Sequence, residues 1–257
     1  MLSLVSSEEV QARLAERIEP GAALAFDADG TLWSGDIGIE TFEALLDERA
    51  VRPAAAEALR AEAAAHGVDA PDDATGAARA LYRAYEAGGY PDARAFQMMA
   101  WAFAGFSAAE VRSFALGVIE RVGLAARLHP EILPIVRWAE RRGVPVFVVS
   151  ASAEIVVRTA VERLALPIAR VFAMRAAMRD DLVLPSGAGP ATYGEGKTEA
   201  LRRGIPGVKL IGAFGDSVYD LALLGAAEFG VAVRPKPELR ARADARPGLV
   251  ELAPRDA

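Results

Sequence analysis

The chain contains no cysteine, so disulfides, thiol nucleophiles and cysteine-based zinc sites are excluded. Histidine is nearly as scarce. His66 and His129 are the two present, and they share no metal-ligand spacing; each reads as an isolated surface or packing residue. Lysine is rare as well, with Lys197, Lys209 and Lys236 the only lysines among 29 basic residues. Together with alanine runs such as Ala54-Ala55-Ala56, this points to a GC-rich coding bias, so surface arginines carry little functional information. No apolar run approaches the ~18 residues a membrane helix needs, which predicts no membrane partner. The opening MLSLVSSEEVQARL has no basic stretch followed by an apolar one, so it does not read as a secretory signal and the expected location is cytoplasmic. A basic excess is missing too: 29 Lys and Arg against 35 Asp and Glu leave a net charge of −6, which speaks against nucleic acid as a partner.

What remains is a globular composition, 53% hydrophobic and 25% charged over 257 residues. Ser6 and Glu9 form a capping-box pattern for a helix running to about Glu19, stopped by Pro20-Gly21. Ala22 to Phe26 is a short apolar run that reads as a buried strand. Residues 37 to 128 hold no convincing strand; they carry helical patterns at about 38–49, 54–66, 72–87, 92–104 and 108–122. From residue 130 helices alternate with continuous apolar strands at 144–149, 169–173, 208–214 and 229–233, with an irregular glycine-containing stretch before a helix at 195–203 and a last helix at 237–245. Such strands belong to a parallel sheet covered on both faces. A lone strand at 22–26 needs partners from the later series. The expectation is therefore an α/β, doubly wound, Rossmann-like sheet of about five strands with an all-helical cap inserted after the first strand. Residues 1–35 and 129–257 would form the core, and 36–128 the cap.

Polar residues cluster just past the proposed strand ends, the edge at which doubly wound sheets bind ligands. The first strand runs into Asp27-Ala28-Asp29-Gly30-Thr31, the second into Ser150-Ala151-Ser152, and a later one into Gly215-Asp216-Ser217 with Asp220 one turn on; Lys197 opens the preceding helix. Each alone is ordinary turn chemistry. Together they place several carboxylates close enough to disfavour full ionisation. A hard divalent cation offsets this, and Mg²⁺ fits a site with few protein carboxylates that also handles phosphate. Ser150, the peptide N–H groups after it and Lys197 would supply donors to a phosphoryl group.

These stretches resemble the haloacid dehalogenase superfamily, specifically its phosphatase branch related to phosphoserine phosphatase. The resemblance rests on Asp27-Ala-Asp-Gly-Thr-Leu, Val148-Val-Ser150-Ala-Ser, Gly196-Lys197-Thr and Gly215-Asp216-Ser-Val-Tyr-Asp220. It implies an Mg²⁺-dependent phosphomonoester hydrolase acting on a small phosphorylated metabolite, an amino-alcohol or amino-acid phosphate among the choices. Asp27 would be the nucleophile and Asp29 the general acid, then base. Ser150, Ala151 and Lys197 would hold the phosphoryl group. Asp27, the backbone carbonyl of Asp29, and Asp216 would ligate the metal, with Asp220 supporting them. The acid at Asp29 argues against a haloacid substrate, because a halide leaving group needs no proton. A phosphotransferase or mutase, or a catalytically inactive binding protein on the same fold, stays open, as do monomer and homodimer.

The same resemblance bears on substrate. Asp36 lies nine positions after Asp27, where phosphoserine phosphatases carry an acid that binds the substrate amino group; Asp36 equally suits a helix N-cap, and the two roles are compatible. The cap arginine that clamps a substrate carboxylate in those enzymes falls here at Met99, with Arg94 out of register. The segment from Phe96 to Phe103 is instead aromatic and methionine-rich. It reads either as cap core or as a wall for an apolar or quaternary ammonium leaving group, as in phosphocholine or phosphoethanolamine. Gly35, Gly38 and Gly123 look like hinges between cap and core.

Overall fold

The computed structural model describes residues 2–242 and 247–255. Nine strands are present among them: β1 (Ser3–Val5), β2 (Ala22–Phe26), β3 (Val146–Ala153), β4 (Arg170–Met174), β5 (Ala176–Arg179), β6 (Leu182–Gly187), β7 (Lys209–Gly215), β8 (Gly230–Val233) and β9 (Val250–Leu252). The helices are α1 (Ser7–Ala15), α2 (Ile37–Asp47), α3 (Ala56–Ala65), α4 (Ala74–Glu86), α5 (Asp92–Trp101), α6 (Ala108–Arg121), α7 (Leu133–Arg142), α8 (Glu154–Arg163), α9 (Glu195–Gly204), α10 (Leu221–Ala226) and α11 (Pro237–Ala241).

Seven parallel strands make one sheet in the order β1-β9-β8-β7-β2-β3-β4. The alternation of β2 explains its double burial. Leu24 and Phe26 join the cluster packed under α1, α7 and α8, while Ala23 and Ala25 join the opposite cluster under α9, α10 and α11. Both sides of the strand are apolar because both are covered. β2 lies between β3 and β7, so the chain leaves the first of these central strands, builds outward on one side and returns on the other. That reversal opens a crevice at the carboxyl ends of β2, β3 and β7. Phe26 and Phe214 stack with centroids 4.0 Å apart directly below it.

The expected strand count was low by two. β1 and β9 are three residues each, too short to register as apolar periodicity, and they pair only with each other and β8. β3 also continues past residue 149, through Ser150, Ala151 and Ser152, because Ala153 pairs with Met174 across an irregularity. The stretch expected to be irregular contains an antiparallel hairpin, β5 and β6. Asp180 and Asp181 turn it, both with positive φ, as a two-residue hairpin loop requires. The last helix ends at Ala241; the remainder of the segment expected to be helical lies partly outside the described residues.

Helices α2 to α5 and the start of α6 bury their own apolar cluster, with Phe42, Leu59, Leu81, Met98 and Phe103 at its centre. Two chain segments connect this helical block to the sheet, and they run side by side. Ser34 N–H donates to the Arg127 carbonyl, His129 N–H to that of Leu32, and Arg127 pairs with Glu40 at 2.6 Å. The β5–β6 hairpin leaves the sheet to join the block: Gly105 and Val183 exchange backbone bonds with Val183 and Phe106 at 2.9 and 2.8 Å. Gly35 and Gly123 have positive φ, whereas Gly38 lies inside α2, where an added Cβ would sit 2.2 Å from Ser152 Oγ. Gly38 is therefore small to admit Ser152, a different reason from the one its sequence context suggested. No helix among the described residues is long and apolar enough to cross a membrane.

Candidate active site

The crevice is floored by a closed set of charges. Lys197, on the first turn of α9, is 3% exposed and donates to Asp27 Oδ1 at 2.7 Å and Asp220 Oδ1 at 2.6 Å. Asp220 Oδ2 accepts from the backbone of Asp216 and Ser217 and from the Ser217 hydroxyl, at 3.0 to 3.2 Å. Both Asp220 oxygens are thus consumed in orienting the floor, and Gly215 makes room for them, since a Cβ there would lie 2.4 Å from Asp220 Cβ. Burial pushes the Asp27 carboxyl well up, Lys197 pulls against it, and Asp220 and Asp216 add to the rise. The flanking carboxylates hold the Lys197 proton on despite burial. Asp216 is also raised, by burial first and then by Asp220, with Lys236 at 2.9 Å from its Oδ2 opposing.

Asp29 is aimed differently. Its Oδ1 accepts from Trp33 Nε1 and from the Ile37 N–H, each at 2.8 Å, and its Oδ2 accepts from Ser152 Oγ at 2.7 Å. These three bonds hold the carboxyl in place and lower its pKa, yet burial outweighs them and the net direction is up. Asp36 caps α2, accepting from the Ile39 N–H at 2.8 Å, and Ser152 Oγ lies 3.5 Å from the same oxygen. Burial and the neighbouring Asp29 push Asp36 up to about 7. Ser152 thus sits between two carboxyls at one end of the crevice, while its N–H donates to Ser150 Oγ at 3.0 Å.

Carboxylate oxygens of Asp27, Asp216 and Asp220 fall within 4.8 Å of one another. Lys197 and the backbone take up Asp220, Lys197 holds Asp27 Oδ1 and Lys236 holds Asp216 Oδ2, so the oxygens left to a cation are Asp27 Oδ2 and Asp216 Oδ1. The donors are hard, as Mg²⁺ requires. Gly30, at φ +85°, lets the Asp216 carboxylate pack against the backbone after β2: a Cβ there would fall 2.4 Å from Oδ2. The donor chemistry and the close approach of these carboxylates fit a small divalent cation.

Asp27, Asp29, Asp36, Ser150, Ala151, Lys197 and Asp216 all line one cavity of about 700 Å³. Asp220, fully buried, lies beneath it. Arg94, the one arginine with a prospect of reaching a substrate carboxylate, pairs instead with Glu62 and lies outside the cavity lining. Met99 and Phe103 are core residues of the helical block, whereas Phe96, from the same stripe, reaches the cavity wall. His129 hydrogen-bonds through Nδ1 with the Thr31 carbonyl, and His66 packs edge-on against Tyr90; neither belongs to a metal-type cluster among the described residues.

Sequence reasoning missed the far wall except for Phe96, which lay in the segment offered as either core or wall. Tyr82, Tyr85, Phe96, Tyr193 and Tyr219 form a chain of ring contacts with centroids 4.7 to 6.1 Å apart. Tyr193 and Tyr219 both donate to Asp92 Oδ2, at 2.6 and 3.1 Å, tying the start of α5 to the sheet side. It missed Ser152 and Lys236 as site residues too. A signal for Lys236 existed: in a chain that uses arginine almost everywhere, two of the three lysines line the cavity.

The family model for haloacid dehalogenase-like hydrolases matches residues 24–225. The chain belongs to that family. No curated protein matches it. Among solved structures, this hydrolase is similar to a protein of unknown function from Bordetella pertussis Tohama I, with a TM-score of 0.69 and 23% identity over 90% of this chain and 98% of that one. It is similar to a functionally unknown protein from Anaerococcus prevotii DSM 20548, with a TM-score of 0.68 and 15% identity over 97% and 92%. It is also similar to a substrate-bound phosphoserine phosphatase, with a TM-score of 0.51 and 18% identity over 91% and 93%. At these identities the likeness is one of fold, and it agrees with the doubly wound sheet seen in this hydrolase.

Proposed function

We propose that this hydrolase is an Mg²⁺-dependent phosphomonoesterase that works through a phosphorylated Asp27 and acts on a small phosphorylated metabolite, in the range of amino-alcohol and amino-acid phosphates. The observation that carries this reading is the convergence of Asp27, Asp29, Lys197 and Asp216 on one end of a single cavity. Lys197 is the only buried lysine of the chain and touches Asp27 directly. Residues 36–128 would act as a cap over the core formed by 1–35 and 129–257.

In the first step an Asp27 carboxylate oxygen bonds to phosphorus as the bond from phosphorus to the ester oxygen breaks. Asp29, whose hold on a proton burial strengthens, gives its proton to the departing alkoxide. In the second step Asp29 takes a proton from water, the water oxygen bonds to phosphorus, and Asp27 is released with inorganic phosphate. Lys197 screens charge at the attacked group throughout, and Ser150 with the Ala151 N–H holds its oxygens. Asp27, the Asp29 carbonyl and Asp216 would hold the Mg²⁺, which when bound masks the negative charge of the phosphoryl oxygens. Asp220 positions Lys197 and stays outside the metal shell, because its oxygens are already committed.

The test is hydrolysis of p-nitrophenyl phosphate with Mg²⁺, with EDTA and with Asp27→Asn. Metal-dependent release of phosphate that disappears in the variant is expected. An unaffected Asp27→Asn rate, or failure of beryllofluoride to modify Asp27 when no turnover is seen, overturns the reading.

A further inference from the structure

The two oxygens of the Asp29 carboxyl have different partners. Oδ1 accepts from Trp33 Nε1 and from the Ile37 N–H, both at 2.8 Å. Both partners are donors only, and together they occupy the two lone pairs of Oδ1, so no proton fits there. Oδ2 has one partner among the described residues, the Ser152 hydroxyl at 2.7 Å. A hydroxyl can donate to a carboxylate and, once turned, accept from a carboxylic acid. When it turns, a second acceptor is within reach of its hydrogen, since Asp36 Oδ1 lies 3.5 Å from Ser152 Oγ. The backbone brings this hydroxyl to Asp29. Val149 pairs with Phe172 and Ala153 with Met174, so residues 150–152 of β3 stand opposite a single residue of β4. Such a bulge re-aims side chains, and both Ser150 and Ser152 line the cavity. Gly38 leaves room for Ser152 Oγ, and the Ser152 N–H donates to Ser150 Oγ at 3.0 Å.

We propose that Ser152 is a positioning residue for proton transfer: it keeps Asp29 Oδ2 as the oxygen that gives and takes the proton, and it follows each transfer by turning its own hydroxyl. The proposal rests on the phosphomonoesterase reading and adds a residue to it. In the first step the O–H bond at Asp29 Oδ2 breaks and its proton passes to the ester oxygen, which keeps the electron pair of the broken bond to phosphorus. Ser152 then turns its hydrogen from Asp36 Oδ1 to the carboxylate just formed. In the second step a proton of the attacking water passes to Oδ2, and the Ser152 hydroxyl turns back. Ser152 keeps its own proton in both steps. The bond it makes to the new carboxylate is charge-assisted and therefore stronger than the one it makes to the acid. Part of that gain is present in the transition state, which makes it an interaction that speeds the step. The gain is larger the further the proton has moved, so it favours esters whose alkoxide cannot leave unprotonated.

The experiment compares kcat/KM with Mg²⁺ for 2,4-dinitrophenyl phosphate and phenyl phosphate, in wild type and in Ser152→Ala. The dinitrophenolate is a weak base and leaves without a proton; the phenolate is a stronger base and gains from one. Ser152→Ala should lose more on phenyl phosphate than on 2,4-dinitrophenyl phosphate, by about 10-fold or more. The ratio between the two esters cancels any loss of folded enzyme. In an Asp29→Asn background there is no acid to position, and the same Ser152→Ala change should cost phenyl phosphate less than about 2-fold. Equal losses on the two esters, or losses that simply multiply in the double variant, would show that the hydroxyl only shapes β3, and they overturn the proposal while leaving the phosphomonoesterase reading standing. Wild-type rates on phenyl phosphate in Ser152→Ala overturn it as well. No turnover of either ester by the wild type overturns the phosphomonoesterase reading itself, and the role of Ser152 falls with it.

Discussion

The two ends of the cavity are built by opposite rules. At the Asp27 end the groups are tied to one another: Lys197 bridges two carboxylates, Asp220 accepts four bonds, and the carboxylates follow strand ends anchored in the sheet. At the aromatic end the rings come from α4, α5 and loops, and Tyr219 is 45% exposed. The first end is preorganised, which is what stabilising charge in a transition state requires. The second is held by ring contacts between the helical block and the sheet side. If this contrast is right, substitutions at the first end strike turnover and folding together, and those at the second strike choice of substrate.

The sharpest way to break the contrast is Lys197→Met. It leaves Asp27 and Asp220 buried without their shared cation, and breaking a buried pair from one side costs about 3–5 kcal/mol. Turnover of p-nitrophenyl phosphate should fall on the order of 10³-fold or more, and a urea melt should show the stability loss. A variant that folds as well as wild type would show that the floor charges are not mutually dependent. Gly30→Ala comes next. Its φ of +85° already strains a side chain, and the new Cβ meets Asp216 Oδ2 at 2.4 Å. A stability cost of about 1–3 kcal/mol is expected, together with a higher Mg²⁺ concentration for half-maximal rate. An unchanged metal requirement would separate Gly30 from the metal site.

Legibility in the sequence follows the same division. The floor could be read because its residues sit at fixed short offsets from strand ends, Asp27 and Asp29 after β2, Asp216 and Asp220 after β7. Those offsets follow from backbone geometry that apolar runs announce. Strands β2, β3, β4, β7 and β8 were legible for the same reason. β1 and β9 were not, since three residues carry no period, and the β5–β6 hairpin was not, since its pairing partners include residues 105–108 of the helical block. Apart from Phe96, the aromatic wall had no local signature. Its rings come from positions 82, 85, 96, 193 and 219 and meet only through the docking of the block on the sheet. Phe96 shows the limit well: its helical stripe correctly implied a core, but the first member of the stripe lies at the cavity instead.

Asp36 joins the two ends and gives a pH test of intermediate size. Its carboxyl is pushed up to about 7 from the ordinary 3.8. Below about pH 4 it is protonated in both folded and unfolded chains and costs nothing. Between pH 4 and 7 only the unfolded chain ionises, so the folded state is progressively disfavoured; above 7 the penalty is constant. Asp36→Asn keeps an acceptor for the Ile39 N–H and removes the charge. In EDTA it should be more stable than wild type by on the order of 2 kcal/mol at pH 8, allowing for partial solvent screening, with the gain vanishing near pH 4. A gain independent of pH would mean that ionisation is not its source.

The smallest effects are expected where Tyr193 and Tyr219 share Asp92. Tyr219 is the more exposed donor and its bond is longer, 3.1 against 2.6 Å. Tyr219→Phe alone should therefore change stability by less than about 0.5 kcal/mol, because Tyr193 keeps the acceptor satisfied. Tyr193→Phe should cost more, and the double variant should cost more than the sum of the two, since only then does Asp92 lose its last hydroxyl donor. A double-mutant cycle on urea melts measures this coupling. Strict additivity would mean that the hydroxyls do not act through Asp92 as a common acceptor, and the aromatic wall would then be held to α5 by ring packing alone.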